Sequence, residues 1–483
     1  MTLTHILVFS LAALVSGWLI PRRWRIRFLL VASLVAIYWL QPSTPIRNLD
    51  FWLPSASIFL TVLVWTITRQ PGIDQRRKSW LAGLILSAVV LAVGLTRYVD
   101  PICCLIPSRP PDLFQIILSV GSAIVLIAVI SFASSKNHFL SYVAIVVILG
   151  LFVILKTEPL SRLVSAWLRS TTDQPVDLTS ALDIPWLGFS YLAFRLLHVL
   201  RDYQSGKLPA FSLNEFVTYA LFFPTITAGP IDRSQHFMGE LNKSSEAGEE
   251  INPIDARARN TMDGARRLVL GSFKKFFLAD SLALIALNPQ NAVQTTSTFW
   301  TWVLLVAYGL RIYFDFSGYT DIAIGLGRLM GIRLPENFDR PYLKQNITAF
   351  WNSWHITLAQ WFRAYYFNPL TRTMRTRMPT LPTWTIILIG QITTMALIGL
   401  WHGVTWNFML WGAWHGMGLF IHNRWSDWIR PRIRLQETNQ SLLMLSSTFS
   451  WMLTFLFVTL GWVWFTLPNP RIAWNVFTRL FGI

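Results

Sequence analysis

Apolar runs long enough to cross a bilayer recur along the whole chain, and no other feature constrains its fold as strongly. LTHILVFSLAALVSGWLI (3–20), FWLPSASIFLTVLVWTI (51–67), WLAGLILSAVVLAVGL (80–95) and LFQIILSVGSAIVLIAVISF (113–132) come first. Further runs follow at 139–155, 183–200, 211–226, 264–287, 299–314, 381–400, 403–421 and 445–466. With about 20 apolar residues needed per span, these make about twelve hydrophobic segments, within a range of roughly 11–13. Several are short or polar enough to be re-entrant instead. The expected fold class is therefore all-α, a polytopic transmembrane helical protein. A composition of 53% hydrophobic against 13% charged residues is that of a membrane protein.

The flanking charges set the orientation. Residues 3–20 lack a preceding basic stretch and a following small-residue cleavage site, so they read as a retained first span and not as a secretion signal. The formal charge of +17 sits in short basic clusters between apolar runs, such as PRRWRIR (21–27) and DQRRK (74–78). That distribution is topology signalling, not a nucleic-acid footprint. Two spans separate these clusters, so both can face the cytoplasm, which places the N-terminus outside. The two cysteines, Cys103 and Cys104, are adjacent in a proline-rich stretch, a spacing that fits neither a disulfide framework nor a CxxC site.

Organisation changes along the chain. Residues 1–180 are N-terminal transmembrane helices with almost no charge inside the apolar runs and no evident site. From about 183, Trp, Tyr, His, Gly, Asp and Asn enter the apolar runs or their edges. Polar groups at membrane depth are costly unless paired or facing water, so the chemistry is expected in 181–425. Residues 426–483 supply a C-terminal helix and tail. NKSSEAGEEINPIDARARN (242–260) reads as a solvated connecting loop.

Phosphate-binding, zinc-protease and serine-hydrolase signatures are absent, and GLGRLMG (325–331) misses the dinucleotide spacing. Histidine remains. Of eight, His355, His402, His415 and His422 fall in the aromatic C-terminal region. In ITAFWNSWHITLAQWFRAYYF (347–367), with Asn346 or Thr348 as N-cap, Trp351, Trp354, His355, Leu358 and Phe362 follow helical spacing and form one stripe. Its single imidazole is either a hydrogen-bonded core residue or a reactant. His402 follows LIGL deep in an apolar segment and precedes Gly403, which permits close approach of backbone or substrate, while Thr405 and Asn407 supply polar groups nearby. Trp-His-Gly occurs twice, at 401–403 and 414–416. If 400–416 is one helix, the intervening residues turn about 1300°, so His402 and His415 face different ways and do not share a site.

In YFDFSGYTDIAIG (313–325), Asp315, Ser317, Tyr319 and Asp321 follow an apolar run, and buried acids need partners. They either orient a histidine, line a hydrophilic funnel, or cap helix ends at a broken-helix joint. LPENFDRPYL (334–343) reads as an extended loop, because its prolines disfavour helix.

Several long stretches taken together resemble the membrane-bound O-acyltransferases. These are LGFSYLAFRLLHVLRDYQSGKLP, LFFPTITAGPIDRSQHF, the run from Tyr313 to Phe367, and LIGLWHGVTWNFMLWGAWHG, within about 183–425. The resemblance implies a ring of helices around a thin, funnelled centre. It assigns His402, in Leu-Trp-His-Gly, the catalytic role and makes His355 its tunnel partner. Trp351, Asn352, Asn407, Arg233, Asp315, Ser317, Tyr319 and Asp321 are then tunnel-lining or supporting residues. It implies no metal and no permanently bound cofactor. The co-substrate is a thioester acyl donor, either acyl-carrier protein phosphopantetheine or acyl-CoA, on the cytoplasmic face. The acceptor is an envelope polymer, glycan or lipid on the opposite face, with membrane lipids and accessory envelope proteins as further partners and no nucleic acid. The implied location is a bacterial cytoplasmic (inner) membrane.

Within that family, Gly229-Pro230-Ile231-Asp232-Arg233 is most similar to teichoic acid D-alanyl transferases, whereas PENF and FDFSGY are shared with alginate O-acetyltransferases. The chain departs from the bacterial pattern at Ala364-Tyr365 after Trp361-Phe362-Arg363, and at TRTMRTR (371–377). A transporter or lipid flippase would also place Asp and Gly breaks in the membrane, but predicts inverted repeats, which the sequence lacks. A polymer-export scaffold with sugar-stacking aromatics is the third reading.

Overall fold

The computed structural model describes residues 1–69, 73–99, 105–133, 138–246, 253–429 and 440–483, and among them forms helices and no strand. Cys103 and Cys104 lie outside the described residues. The chain divides into two units, Met1–Val269 with Asp321–Pro335, and Leu270–Thr320 with Glu336–Ile483.

The first unit holds α1 (Leu3–Leu14), α2 (Arg22–Leu40), α3 (Leu49–Thr68), α4 (Ile73–Leu95), α5 (Leu113–Ala133), α6 (Phe139–Lys156), α7 (Glu158–Thr171), α8 (Phe189–Gln204), α9 (Leu213–Ala220) and α10 (Ser234–Glu246). It also takes most of α11 (Pro253–Phe273). The second unit holds α12 (Asp280–Ala283), α13 (Pro289–Gln294) and the larger part of α14 (Thr298–Leu329). It continues with α15 (Ile347–Trp351), α16 (Ile356–Phe362), α17 (Asn368–Arg377), α18 (Thr383–His402), α19 (Trp406–Ile429), α20 (Gln440–Thr466) and α21 (Pro470–Leu480).

Among the described residues, six helices are long and apolar enough to cross a membrane: Leu49–Thr68, Ser79–Tyr98, Leu113–Ala133, Phe139–Lys156, Thr383–His402 and Met444–Thr466. That is fewer than the twelve apolar runs, for local reasons. The runs at 183–200 and 211–226 become helices of 16 and 8 residues. The run at 264–287 changes to a wider π-helical turn at Lys274–Ala279. The connector at 242–260 is also not a simple loop, since α10 runs to Glu246 and α11 begins at Pro253.

Local chemistry sets several helix starts. Ser212 accepts from the Glu215 amide, and the Glu215 carboxylate accepts from the Ser212 amide at 2.8 Å, a reciprocal cap that begins α9. The amphipathic α7 is tied to the following loop by a buried ion pair: Arg169 Nε donates to Asp183 Oδ2 at 2.9 Å, with Ser165 donating to the same oxygen at 2.6 Å. Burial acts to raise the Asp183 pKa, but the bonds from Arg169, Ser165 and the Ser180 amide outweigh it and hold the carboxyl below its ordinary value.

In the second unit, α18 and α19 form a tightly packed hairpin. A Cβ at Gly399 would lie 2.0 Å from the Phe408 carbonyl oxygen, and one at Gly412 would lie 2.3 Å from that of Met395. Only residues without side chains let the two backbones approach this closely.

Candidate active site

The site is built where two helix interruptions meet aromatic side chains of the second unit. The first lies in 347–367. Asn346 is the N-cap, its Oδ1 accepting from the Ala349 amide at 2.8 Å, but the stripe is not one helix. α15 ends at Trp351, and His355 stands at the break before α16 with φ 43° and ψ 52°. That left-handed conformation is uncommon for a residue with a side chain.

The extended segment carrying Asn337 holds the break in place. The Ile356 amide donates to the Asn337 carbonyl at 3.0 Å, and the Asp339 amide donates to Ser353 O at 3.0 Å. The Asn337 side-chain oxygen accepts from the Thr357 amide at 3.1 Å and from its hydroxyl at 2.9 Å. His355 Nδ1 lies 3.2 Å from the same oxygen. Because Oδ1 is an acceptor, this nitrogen must carry the proton, and in the neutral ring the lone pair falls on Nε2. His355 is 3% exposed, and its Nε2 has no hydrogen-bond partner among the described residues. A buried acceptor left in this state suits a polar substrate atom. Asn337 lies in the PENF stretch but is not among the site residues expected from the sequence. At the outer edge of the same loop, the Lys344 hydrogen bond lowers the Asp339 pKa.

The second interruption ends α18. His402 is its last residue, and the chain turns through Gly403–Thr405 before α19 begins at Trp406. The stretch 400–416 is therefore two helices, and the expectation of separate faces on one helix fails. The half-buried His402 ring sits in an aromatic box, with centroids 4.5 Å from Trp401, 4.7 Å from Phe465, 5.7 Å from Phe408 and 5.8 Å from Trp411. The Trp401 ring also contacts His355 at 6.0 Å, so one indole touches both histidines.

His415 is fully buried on α19, its ring 5.0 Å from Trp411 and 5.2 Å from Trp351. Trp351 Nε1 donates to its Nδ1 at 3.4 Å. The two Trp-His-Gly histidines thus contact the same Trp411 ring, closer together than one continuous helix would place them. The two copies still differ: His402 is half-buried at a helix end, whereas His415 is enclosed within a helix and Gly416 packs close to Ile392.

The other expected site residues divide. Trp351 is buried against His415 and Trp411, and Asn352 accepts from Arg363 Nη2 at 2.9 Å. Asn407 is 2% exposed; its amide donates to Leu467 O at 2.8 Å, while its Oδ1 has no partner among the described residues. The 313–325 stretch lies within a single 32-residue helix, so the broken-joint reading is not what forms. Asp315 pairs with Lys275, and Asp321 pairs with Arg267. Ser317 is buried with no partner for its hydroxyl among the described residues, and Tyr319 is buried. The residue of this stretch that packs on His355 is Phe316, at 4.6 Å. Arg233 is exposed in the first unit, beside Asp232, whose carboxylate pairs with His236 at 2.8 Å.

An imidazole nitrogen with no hydrogen-bond partner among the described residues and a second, half-buried imidazole in an aromatic box, both touched by Trp401, form an arrangement that can handle a proton. The sequence model of MBOAT, the membrane-bound O-acyltransferase family, matches residues 154–461 and so encloses both histidines. The chain belongs to this family. The match begins upstream of the resemblance read from the motifs and runs past it into α20.

Among curated proteins of the family's chemistry, the chain is 35% identical to the probable alginate O-acetylase AlgI of Pseudomonas aeruginosa over 310 residues, covering 64% of this chain and 54% of that protein. It is 33% identical to the teichoic acid D-alanyltransferase of Streptococcus thermophilus, over 50% of this chain and 57% of the relative. It is also 33% identical to the peptidoglycan O-acetyltransferase of Helicobacter pylori, over 56% and 48%. The chain spans about half the length of the curated relatives it matches. Family membership and the six apolar helices make it a multi-pass membrane protein.

Proposed function

We propose that the chain transfers an acyl group from a thioester to a hydroxyl of a cell-envelope polymer, with His402 as general base. The observation that carries this reading is the His402 imidazole, placed by a helix end in an aromatic box within the segment that matches the O-acyltransferase family. His402 takes the proton of the acceptor hydroxyl as that oxygen attacks the thioester carbonyl. The carbon–sulfur bond then breaks, and the thiolate leaves with the proton from the imidazole. General-base help of this kind is worth typically ~10²–10⁴ in rate. His355, held by Asn337, presents Nε2 to a polar atom of donor or acceptor, and the aromatic lining limits competing hydrolysis.

The donor is an acyl-carrier protein phosphopantetheine or acyl-CoA on the cytoplasmic side of the inner membrane, and the acceptor is on the outer side. Two acyl groups are in play. D-alanyl transfer is favoured by the Gly-Pro-Ile-Asp-Arg motif at 229–233 and by the relative named a D-alanyltransferase, and O-acetyl transfer by the relatives named an O-acetylase and an O-acetyltransferase.

The test uses the purified protein in lipid nanodiscs with a labelled acyl thioester and envelope polymer. Label should move to the polymer with the wild type and not with His402→Ala, both being folded. Transfer at the normal rate by the variant would remove His402 from the mechanism. Mass spectrometry of envelope polymers from cells with and without the protein then identifies the acyl group, as a D-alanyl or an acetyl ester lost together with the gene.

A further inference from the structure

The first unit contains a polar cavity that the acyl-transfer chemistry does not use. It measures about 470 Å³ and is lined by Arg47, Arg97, Arg109, Asp112 and Gln174, among others. That volume lies in the range of small-molecule sites, roughly 300–1,000 Å³. Its walls are the segments between α2 and α3, between α4 and α5, and after α7.

The walls of the cavity are pinned by hydrogen bonds between its segments. Asp50, fully buried at the start of α3, accepts from the Ser108 amide at 2.8 Å and from its hydroxyl at 2.6 Å, which pins the segment carrying Arg109. Gln174 accepts from the Arg47 amide at 2.8 Å and donates to Pro45 O at 2.9 Å. Arg97 and Arg109 each give one bond to a backbone carbonyl, to Pro110 and Arg97 respectively. None of the three guanidinium groups has a carboxylate within ion-pair distance among the described residues. The lining carboxylate, Asp112, accepts from the Gln115 amide at 3.1 Å as a helix cap.

Orientation gives this cavity a meaning. The basic run at 74–78 sits between α3 and the apolar part of α4, which places that end in the cytoplasm. The opposite ends of α3, α4 and α5, where the cavity lies, then face outward. Arginines on the outer side run against the positive-inside tendency, and here three converge on one cavity with donors to spare. A guanidinium fork matches carboxylate and phosphate oxygens two at a time.

We propose that this cavity is a docking subsite for an anionic stretch of the envelope polymer, engaging its carboxylate or phosphate groups on the outer face. The inference rests on the acyl-transfer reading for the identity of the polymer as acceptor. A polymer fits better than a lipid headgroup because the walls are exposed polar loops.

The test uses the full chain in phosphatidylcholine nanodiscs, with fluorescent oligomannuronate, a glycerol-phosphate oligomer and neutral dextran as probes. At least one anionic oligomer should bind, more weakly as salt rises, and dextran should not. Arg47→Gln combined with Arg109→Gln should weaken that binding about tenfold and raise KM for the polymer with little change in kcat. Arg162→Gln, at the Glu158 ion pair, serves as the control. Cysteine introduced at the exposed Ser43, in a chain with Cys103 and Cys104 replaced by Ser, should be labelled from outside intact cells.

Unchanged affinity in the double variant, equal binding of dextran, no binding of either anionic oligomer, or labelling of Ser43→Cys only from inside would each overturn the proposal. So would loss of retained phosphatidylglycerol in the double variant with oligomer binding intact, which assigns the cavity to lipid. His402→Ala should bind the oligomer normally. Absence of transfer by any form of the protein therefore counts against the acyl-transfer reading, while the binding measurements separately decide the subsite.

Discussion

The Asn337 side-chain oxygen lies 3.2 Å from His355 Nδ1 and also accepts both donors of Thr357. One amide thereby fixes the tautomer of a buried imidazole and the backbone break that carries it.

Asn337→Ala should lower kcat by about 10- to 100-fold, because it removes the buried acceptor that fixes His355 Nδ1 and receives the Thr357 amide and hydroxyl, at about 1–3 kcal/mol. Asn337→Asp keeps the oxygen and should recover part of the rate. Steady-state kinetics checked against thermal melting separates positioning from unfolding: equal kcat in both variants would remove Asn337 from this role.

The two Trp-His-Gly histidines should behave differently when each is changed to Gln. At His402 the change removes the base and should cost at least ~10² in transfer. At His415, enclosed by Trp351, Trp411 and Phe457, it should mainly lower the melting temperature. Equal kinetic damage at the two positions would give them a shared chemical role.

Gly399→Ala places a methyl group against the Phe408 carbonyl, where only 2.0 Å is available. The α18–α19 hairpin must then separate, at a cost of about 1–3 kcal/mol, and His402 moves with it. A lower melting temperature and reduced transfer should appear together. Normal values for both would show that the helices do not need this contact.

Asp183→Asn leaves Arg169 buried without its counter-charge and should destabilise the first unit by about 3–5 kcal/mol. The Asp183 pKa is depressed in the folded protein, so its contribution is present above the ordinary aspartate pKa and is lost as pH falls through the folded value. Melting of the wild type should therefore fall with pH in the acid range, and the variant should lose part of that dependence.

Hydrophobic run length and composition established the helical membrane class, because a bilayer imposes its length on any spanning segment. The motifs, read in order, carried the family and brought forward His402 and His355, and Asn346 was legible as a cap. Residues that act through contacts between elements were less visible. Asn337 is 18 positions from His355, and nothing in local periodicity joins them. The break at His355 was hidden because its flanking residues keep helical spacing on either side.

Sequence alone thus determined that this is a polytopic α-helical protein with a histidine deep in an apolar segment. Tertiary structure decided that 400–416 is a hairpin, that Asp315 and Asp321 are paired with Lys275 and Arg267, and that Trp401 touches both candidate histidines. The physical reason is that spans depend on averages over many residues, which the sequence carries directly. A site depends on a few directional contacts between distant segments, and only packing fixes those.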